Sequence, residues 1–250
     1  MLADIEILGV SIQMFGLFFG LNFLAWGAVA SRRLGELGRP SDWAYELVFV
    51  ALGGGLVGAK LYWIIDTGAE VSLSGLLTGS GLTWYGGLAG GALAVAAWVR
   101  WRGMDLPHLV DIAAIGLPLG YAIGRIGCQI SGDGDYGVPS GLPWAMPYPD
   151  GVVPTDNAVH PTPIYETLSM GLLAYVLWRL RDRFRPGTLF GLYLIGAGLE
   201  RLLVEFVRRN QAELAGLTQA QVLAIVSMVG GAALLAVMVR RRGGLAASTA

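Results

Sequence analysis

Three basic side chains, Lys60, Arg125 and Arg201, interrupt otherwise apolar stretches of the chain. A charge at the centre of a bilayer costs at least about 2.5–3.5 kcal/mol on insertion scales, so such a group normally faces a partner or a wet cavity. Each of the three lies in the last third or so of its stretch. Snorkelling to an interface would account for any one of them. Three at matching depth point instead to one shared cavity that receives an anion. A guanidinium stays charged and forks onto phosphate or carboxylate oxygens. Gly116, Gly120 and Gly124 recur every four residues before Arg125. That spacing puts them on one helix face, permits close packing and leaves room beside Arg125 for a bulky head group. Arg201, Glu205 and Arg208 stand at i, i+4 and i+7, again on one face. Glu205 can hold either arginine, and the face carries more positive than negative charge.

The elements that must position these groups follow from composition. The chain has 250 residues, 54% hydrophobic and 14% charged, with 38 glycines, and a mean hydropathy of +0.59. Soluble domains run nearer about 45–50% apolar and about 25% charged. This excludes disorder, a coiled coil and an ordinary cytosolic enzyme. The apolar residues come in long runs rather than alternating segments of ~10 residues, which argues against a β-barrel. The implied fold class is all-α: a polytopic membrane protein with seven transmembrane helices, forming a single transmembrane domain over 1–250. The spans are placed at 5–30, 45–65, 82–99, 108–131, 163–178, 187–207 and 214–239. The start has no basic n-region and no clear cleavage site, so it reads as an uncleaved first span. Arg32, Arg33 and Arg39 follow span 1, Arg100 and Arg102 follow span 3, Arg179 to Arg185 follow span 5, and Arg240 to Arg242 follow span 7. The positive-inside rule then puts the N-terminus outside and the C-terminus in the cytoplasm. Lys60, Arg125 and Arg201 fall in even-numbered spans, in the outer half of the membrane.

Residues 132–162 form the one extended polar segment, with Asp133, Asp135, Tyr136, Trp144, Tyr148 and His160. Loops this long in a compact protein usually carry function. Its aromatics and prolines fit a folded outer loop capping the cavity. His160 is the only histidine on that side, the other being His108, and so the only imidazole base available there. Pro161 and Pro163 suit a helix start, and Glu166, in the first turn, would complement the helix dipole. Tyr85 stands at the outer end of span 3, where the aromatic belt would account for it. One cysteine, Cys128, excludes a disulfide framework and a Cys-based zinc site. Two histidines exclude a His-rich site. No metal and no cofactor is expected, and Cys128 reads as a small space-filler.

Several of these segments resemble one family, the bacterial prolipoprotein diacylglyceryl transferases. Gly124-Arg125-Ile126-Gly127, followed by a turn of glycines and acids, looks like the family signature. His160-Pro161-Thr162-Pro163-Ile164-Tyr165-Glu166 is close to its His-Pro-(Ser/Thr)-Gln-Leu-Tyr-Glu. Residues 187–208, with Arg201, Glu205 and Arg208, resemble its sixth span. Gln13-Met14-Phe15-Gly16, Gly58-Ala59-Lys60-Leu61-Tyr62 and Gln221-Val222-Leu223-Ala224-Ile225 are weaker echoes.

The resemblance implies transfer of the diacylglyceryl group of phosphatidylglycerol to the lipobox cysteine of a preprolipoprotein signal peptide, releasing glycerol phosphate. The place would be the bacterial cytoplasmic (inner) membrane, with the active site facing the outer leaflet. The partners would be lipids and that peptide, not nucleic acid. By motif position, Arg125 and Arg201 would be the essential phosphate-binding arginines, with Glu205 and Arg208 supporting them. Lys60, Asp133, Asp135, Tyr165 and Glu166 would bind substrate, and His160 and Tyr85 would take part in catalysis.

The chain departs from the family in four places. The family's His-Gly-Gly is Tyr85-Gly86-Gly87 here. That histidine is a proposed base for the thiol, and a phenol with a reference pKa near 10 is a poor base near neutrality. The signature's asparagine is Cys128, its glutamate is replaced by Asp133 or Asp135, and a tyrosine of span 6 is Ala197. Either the base role moves to His160 or water at the lipid, or the chain is a divergent phosphatidylglycerol-using transferase with another acceptor. An anion or lipid transporter is the reading from another class. Transporters usually show paired repeats with broken helices, which the sequence lacks. Only Asn22 and Asp111 hint at a polar path toward the inner leaflet.

Overall fold

The computed structural model describes residues 4–7, 10–68, 83–212 and 216–247. Among them are seven helices and two short hairpins. In chain order they are β1 (Asp4–Ile7), β2 (Val10–Gln13), α1 (Met14–Glu36), α2 (Trp43–Thr67), α3 (Trp84–Arg102), α4 (Leu106–Ser131), β3 (Met146–Tyr148), β4 (Thr155–Val159), α5 (Thr162–Leu180), α6 (Thr188–Glu205) and α7 (Gln219–Arg242). The segments Trp43–Thr67, Leu106–Ser131 and Gln219–Arg241 are long and apolar enough to cross a membrane.

The helices stand where the seven apolar stretches lie, with a correction at the start. The first helix begins at Met14, not near residue 5. Before it, β1 and β2 pair antiparallel, with Ile5 opposite Ile12 and Ile7 opposite Val10. Asp4-Ile-Glu-Ile7 and Val10-Ser-Ile-Gln13 alternate apolar and polar residues at period two, the strand pattern. Apolar content alone does not reveal that period.

The chain divides into two compact units, residues 27–109 and residues 1–26 with 110–250. In the first, α2 and α3 pack backbone against backbone. A Cβ added at Gly58 would lie 2.7 Å from Gly90 Cα, and one at Gly86 would lie 2.5 Å from Tyr62 Cβ. Glycines four apart on both helices make this approach possible. Glu46 of α2 accepts hydrogen bonds from Trp98 Nε1 at 2.8 Å and Arg102 Nε at 2.9 Å, both from α3. Gly58→Ala is expected to destabilise the protein by about 1–3 kcal/mol, because the obstructing atoms are backbone and cannot swing aside. Thermal unfolding in detergent measures it. An unchanged Tm would mean that the two helices can spread freely.

In the second unit, Gly116, Gly120 and Gly127 of α4 seat side chains of α1 rather than another backbone. An added Cβ would strike the Trp26 indole, the Asn22 side chain and the Phe18 Cβ respectively. Gly124 faces open space. Asp111, also on α4, caps α6: its carboxylate accepts from Gly187 N at 2.8 Å and Phe190 N at 3.0 Å. Asn22 and Asp111, the two residues that hinted at a polar path toward the inner leaflet, thus have packing and capping partners. Thr218 and Gln221 form a reciprocal capping box at the start of α7.

The segment 132–162 is folded around a small core of Tyr136, Tyr148 and Val159. The two tyrosine rings stack with centroids 4.0 Å apart. Tyr148 Oη donates to Gln129 Oε1 at 3.0 Å, tying the segment to α4. Gly137 sits where three stretches of chain meet. Its N–H donates to His160 O at 2.8 Å, and the next amide, of Val138, donates to Val207 O at 2.9 Å. A Cβ at Gly137 would collide with the Val207 carbonyl.

Candidate active site

The C-terminal ends of α4 and α6 and the N-terminal end of α5 meet around one carboxylate, Glu166, whose side chain is fully buried. Tyr121 Oη donates to Glu166 Oε1 at 2.8 Å. Arg125 Nε lies 3.0 Å from Glu166 Oε2. Arg201 Nη1 reaches Oε1 at 3.4 Å, and Arg208 Nη1 reaches it at 3.2 Å. Three guanidiniums therefore converge on a single acid. Arg125 also donates to Tyr121 Oη at 3.0 Å, with its guanidinium carbon 5.0 Å from the Tyr121 ring centroid.

Asp135, from the turn after α4, closes the arrangement. Its two carboxylate oxygens pair with Arg125 and Arg208. Burial alone would raise the Asp135 carboxyl, but the two guanidiniums outweigh it and hold the group below the ordinary carboxylate value. Asp133 does a different job: its Oδ1 accepts the Asp135 backbone N–H at 3.2 Å, shaping the turn. Of the two aspartates that the sequence offers at this place, Asp135 is the one that touches the arginines. Arg209 holds the same turn through Gly134 O at 2.8 Å and Tyr136 O at 3.1 Å. Glu205, buried on α6, lies 2.9 Å from Arg201 Nη2 and accepts from Asn210 Nδ2 at 2.7 Å.

The sequence reading needs two corrections here. The excess positive charge of the α6 face is met by acids from other elements, Glu166 and Asp135. Glu166 is also no dipole-capping residue: α5 starts at Thr162 and has no acid in its first turn. The guanidiniums differ in access. Side-chain exposure is 27% for Arg201, 15% for Arg125 and 9% for Arg208, so Arg201 is the most open to a ligand. Cys128 Sγ lies 3.7 Å from Arg125 Nη1. Its sulfur and the Asp133 and Asp135 carboxylates offer ligand atoms within 4.8 Å of one another, but Arg125 already supplies the positive charge there.

His160 lies at the edge of this region, with Nδ1 3.2 Å from Tyr165 Oη. Trp144 Nε1 donates to the same hydroxyl at 2.7 Å. Tyr165 in turn lines a groove between α5 and α6 of about 420 Å³, walled by Ser169, Leu172, Val176, Leu199, Glu200 and Leu203. Lys60 belongs to the other unit, where it is buried on α2 with Nζ 5.4 Å from the Trp63 ring centroid. Tyr85 belongs to the first turn of α3, and its side chain lies outside the described residues. Sequence reasoning missed Tyr121 and Glu200. Tyr121 was within reach of it, since it stands four residues before Arg125 and so on the same face.

A family model described as prolipoprotein diacylglyceryl transferase matches residues 3–237. Relatives named phosphatidylglycerol–prolipoprotein diacylglyceryl transferase include one from Dehalococcoides mccartyi, 32% identical over 86% of this chain and 85% of the relative. Another, from Methylococcus capsulatus, is 31% identical over 93% of each chain. A third, from Clostridium tetani, is 29% identical over 90% of this chain and 93% of the relative.

Proposed function

This chain belongs to the prolipoprotein diacylglyceryl transferase family and is a transferase of lipoprotein biosynthesis, and on that premise we propose that it alkylates the lipobox cysteine of a preprolipoprotein with the diacylglyceryl group of phosphatidylglycerol. The observation that carries the reading is the convergence of Arg125, Arg201 and Arg208 on Glu166. The thiol sulfur attacks the glyceryl carbon, a C–S bond forms, and the C–O bond to phosphate breaks. The phosphodiester, with one negative charge, leaves as glycerol phosphate with a second. Guanidiniums already fixed by carboxylates need no reorganisation to meet that charge, which is how preorganised donors lower a barrier. Arg201, the most exposed, would meet the lipid phosphate first, with Arg125 and Arg208 behind it. His160, Tyr165 and Trp144 would hold the acceptor peptide at the groove mouth.

Seven membrane spans, an outer N-terminus and a cytoplasmic C-terminus follow from the arginine-rich turns after spans 1, 3, 5 and 7. That topology puts the cluster in the outer half of the cytoplasmic membrane, beneath the segment 132–162. The test is mass analysis of a lipobox peptide after incubation with purified protein in phosphatidylglycerol vesicles. A peptide heavier by one diacylglyceryl group, with stoichiometric glycerol phosphate, is expected. Release of glycerol phosphate without peptide alkylation would point to a different acceptor.

A further inference from the structure

The groove between α5 and α6 contains a carboxylate that the arginine cluster does not use. Glu200 is 8% exposed and stands in the groove wall beside Tyr165, Ser169 and Leu203. Ser169 Oγ lies 3.3 Å from its Oε1, and the same hydroxyl also reaches Tyr165 O at 2.8 Å. Its Oε2 is buried and has no hydrogen-bond partner among the described residues. A buried acceptor left without a partner costs about 1–3 kcal/mol, and more when charged. The groove walls are otherwise mostly apolar, so packing alone gives no reason for an acid there. The next residue, Arg201, reaches Glu166 with Nη1. On the facing helix, Glu166 and Ser169 lie one turn apart. The groove and the phosphate-binding cluster are thus built from adjacent residues of the same two helices.

Alkylating a thiol releases one proton, and a groove with mostly apolar walls offers little water to take it. We propose that Glu200 accepts that proton from the acceptor cysteine, which enters the α5–α6 groove; this rests on the transferase reading above. The S–H proton passes to the Glu200 carboxylate, and the sulfur electron pair attacks the glyceryl carbon. The C–O electrons leave on the phosphate oxygen, and the proton on Glu200 then passes to the departing phosphate monoester or to water. The leucine and valine walls suit the apolar stretch of a membrane-inserted signal peptide.

The experiment is thioether formation by mass spectrometry, using the full-length protein in phosphatidylglycerol vesicles with a lipobox peptide, from pH 6 to pH 9. A thiol with a reference pKa near 8.5 is only a few per cent ionised at pH 7, so Glu200→Gln is expected to lower kcat there by about 10–100-fold. The loss should shrink to about 3-fold or less at pH 9, with the KM for phosphatidylglycerol unchanged. Glu200→Asp should keep most of the pH 7 activity. Glu200→Gln buries a neutral amide of the same shape, so its Tm should not fall. A Glu200→Gln loss equal at every pH overturns the assignment, as does full activity at pH 7. So does a pH-dependent recovery seen in His160→Ala instead. If the wild-type protein forms no thioether at all, the transferase reading falls and this inference with it. If it does and Glu200→Gln is silent, only the inference falls.

Discussion

Arg125→Ala is expected to cut thioether formation by at least about 30-fold. The Arg125 side chain touches Glu166 through Nε, Asp135 through Nη1 and Tyr121 through Nη2. Removing it deletes one of the three guanidiniums gathered on Glu166 and leaves that acid short of a partner. Truncating one member of a buried charge pair costs about 2–5 kcal/mol. At 1.36 kcal/mol per tenfold, that is a loss of about 30- to 5000-fold if it falls on the transition state. Arg125→Lys should fail nearly as badly. An ammonium is a single compact charge on a flexible stem and cannot bridge Glu166, Asp135 and Tyr121 together. Turnover of phosphatidylglycerol with a lipobox peptide measures both variants. Wild-type turnover in Arg125→Ala would remove this residue from the site.

The second large effect falls on the acid at the centre. Glu166→Gln keeps the shape and removes the charge that holds three guanidiniums together. A buried pair broken in this way is destabilising by about 3–5 kcal/mol. The expected result is a lower Tm in detergent together with lost transfer. Adding Arg208→Met should recover part of the Tm, because one uncompensated positive charge goes with it, while transfer stays lost. A Glu166→Gln protein as stable as wild type would show that Asp135 and Glu205 suffice to balance the cluster.

The helices were legible because their apolar runs are long and arginines follow several of them. Arg125 and Arg201 were legible for a simple physical reason: a charge in an apolar helix needs an explanation, although the same reason also singled out Lys60, which lies in the other unit, and Arg208 was found only by its spacing from Arg201. What pairs with them was not. Asp135 and Glu166 come from other elements, and one sequence carries no signal for contacts between residues 73 and 42 positions apart. Glu166 also has a local explanation, as a residue near a helix start, and the resemblance marked it as a substrate-binding residue rather than as the acid on which the arginines converge. Glu200 was passed over beside Arg201 because adjacent residues on a helix point in different directions. Here they point into a groove and into the cluster. The hairpin of β1 and β2 was read as helix because hydropathy sums ignore period.

Asp111 caps α6 from α4, and it does so at the far end of both helices from the arginine cluster. Fourteen residues separate Asp111 from Arg125 on α4, and fourteen separate Gly187 from Arg201 on α6. At 1.5 Å per residue each arm is ~21 Å long. Both arginines reach one acid, Glu166, from two helices joined at a single carboxylate, like the tips of a pair of callipers. Any change that shortens or lengthens one arm moves one tip past the other. A single inserted residue advances its tip by ~1.5 Å and turns it by ~100°, so Glu166 would lose contact with one guanidinium while the other stayed in place. The alignment of the two guanidiniums on Glu166 is in this sense set by a hydrogen-bonded cap about four turns away.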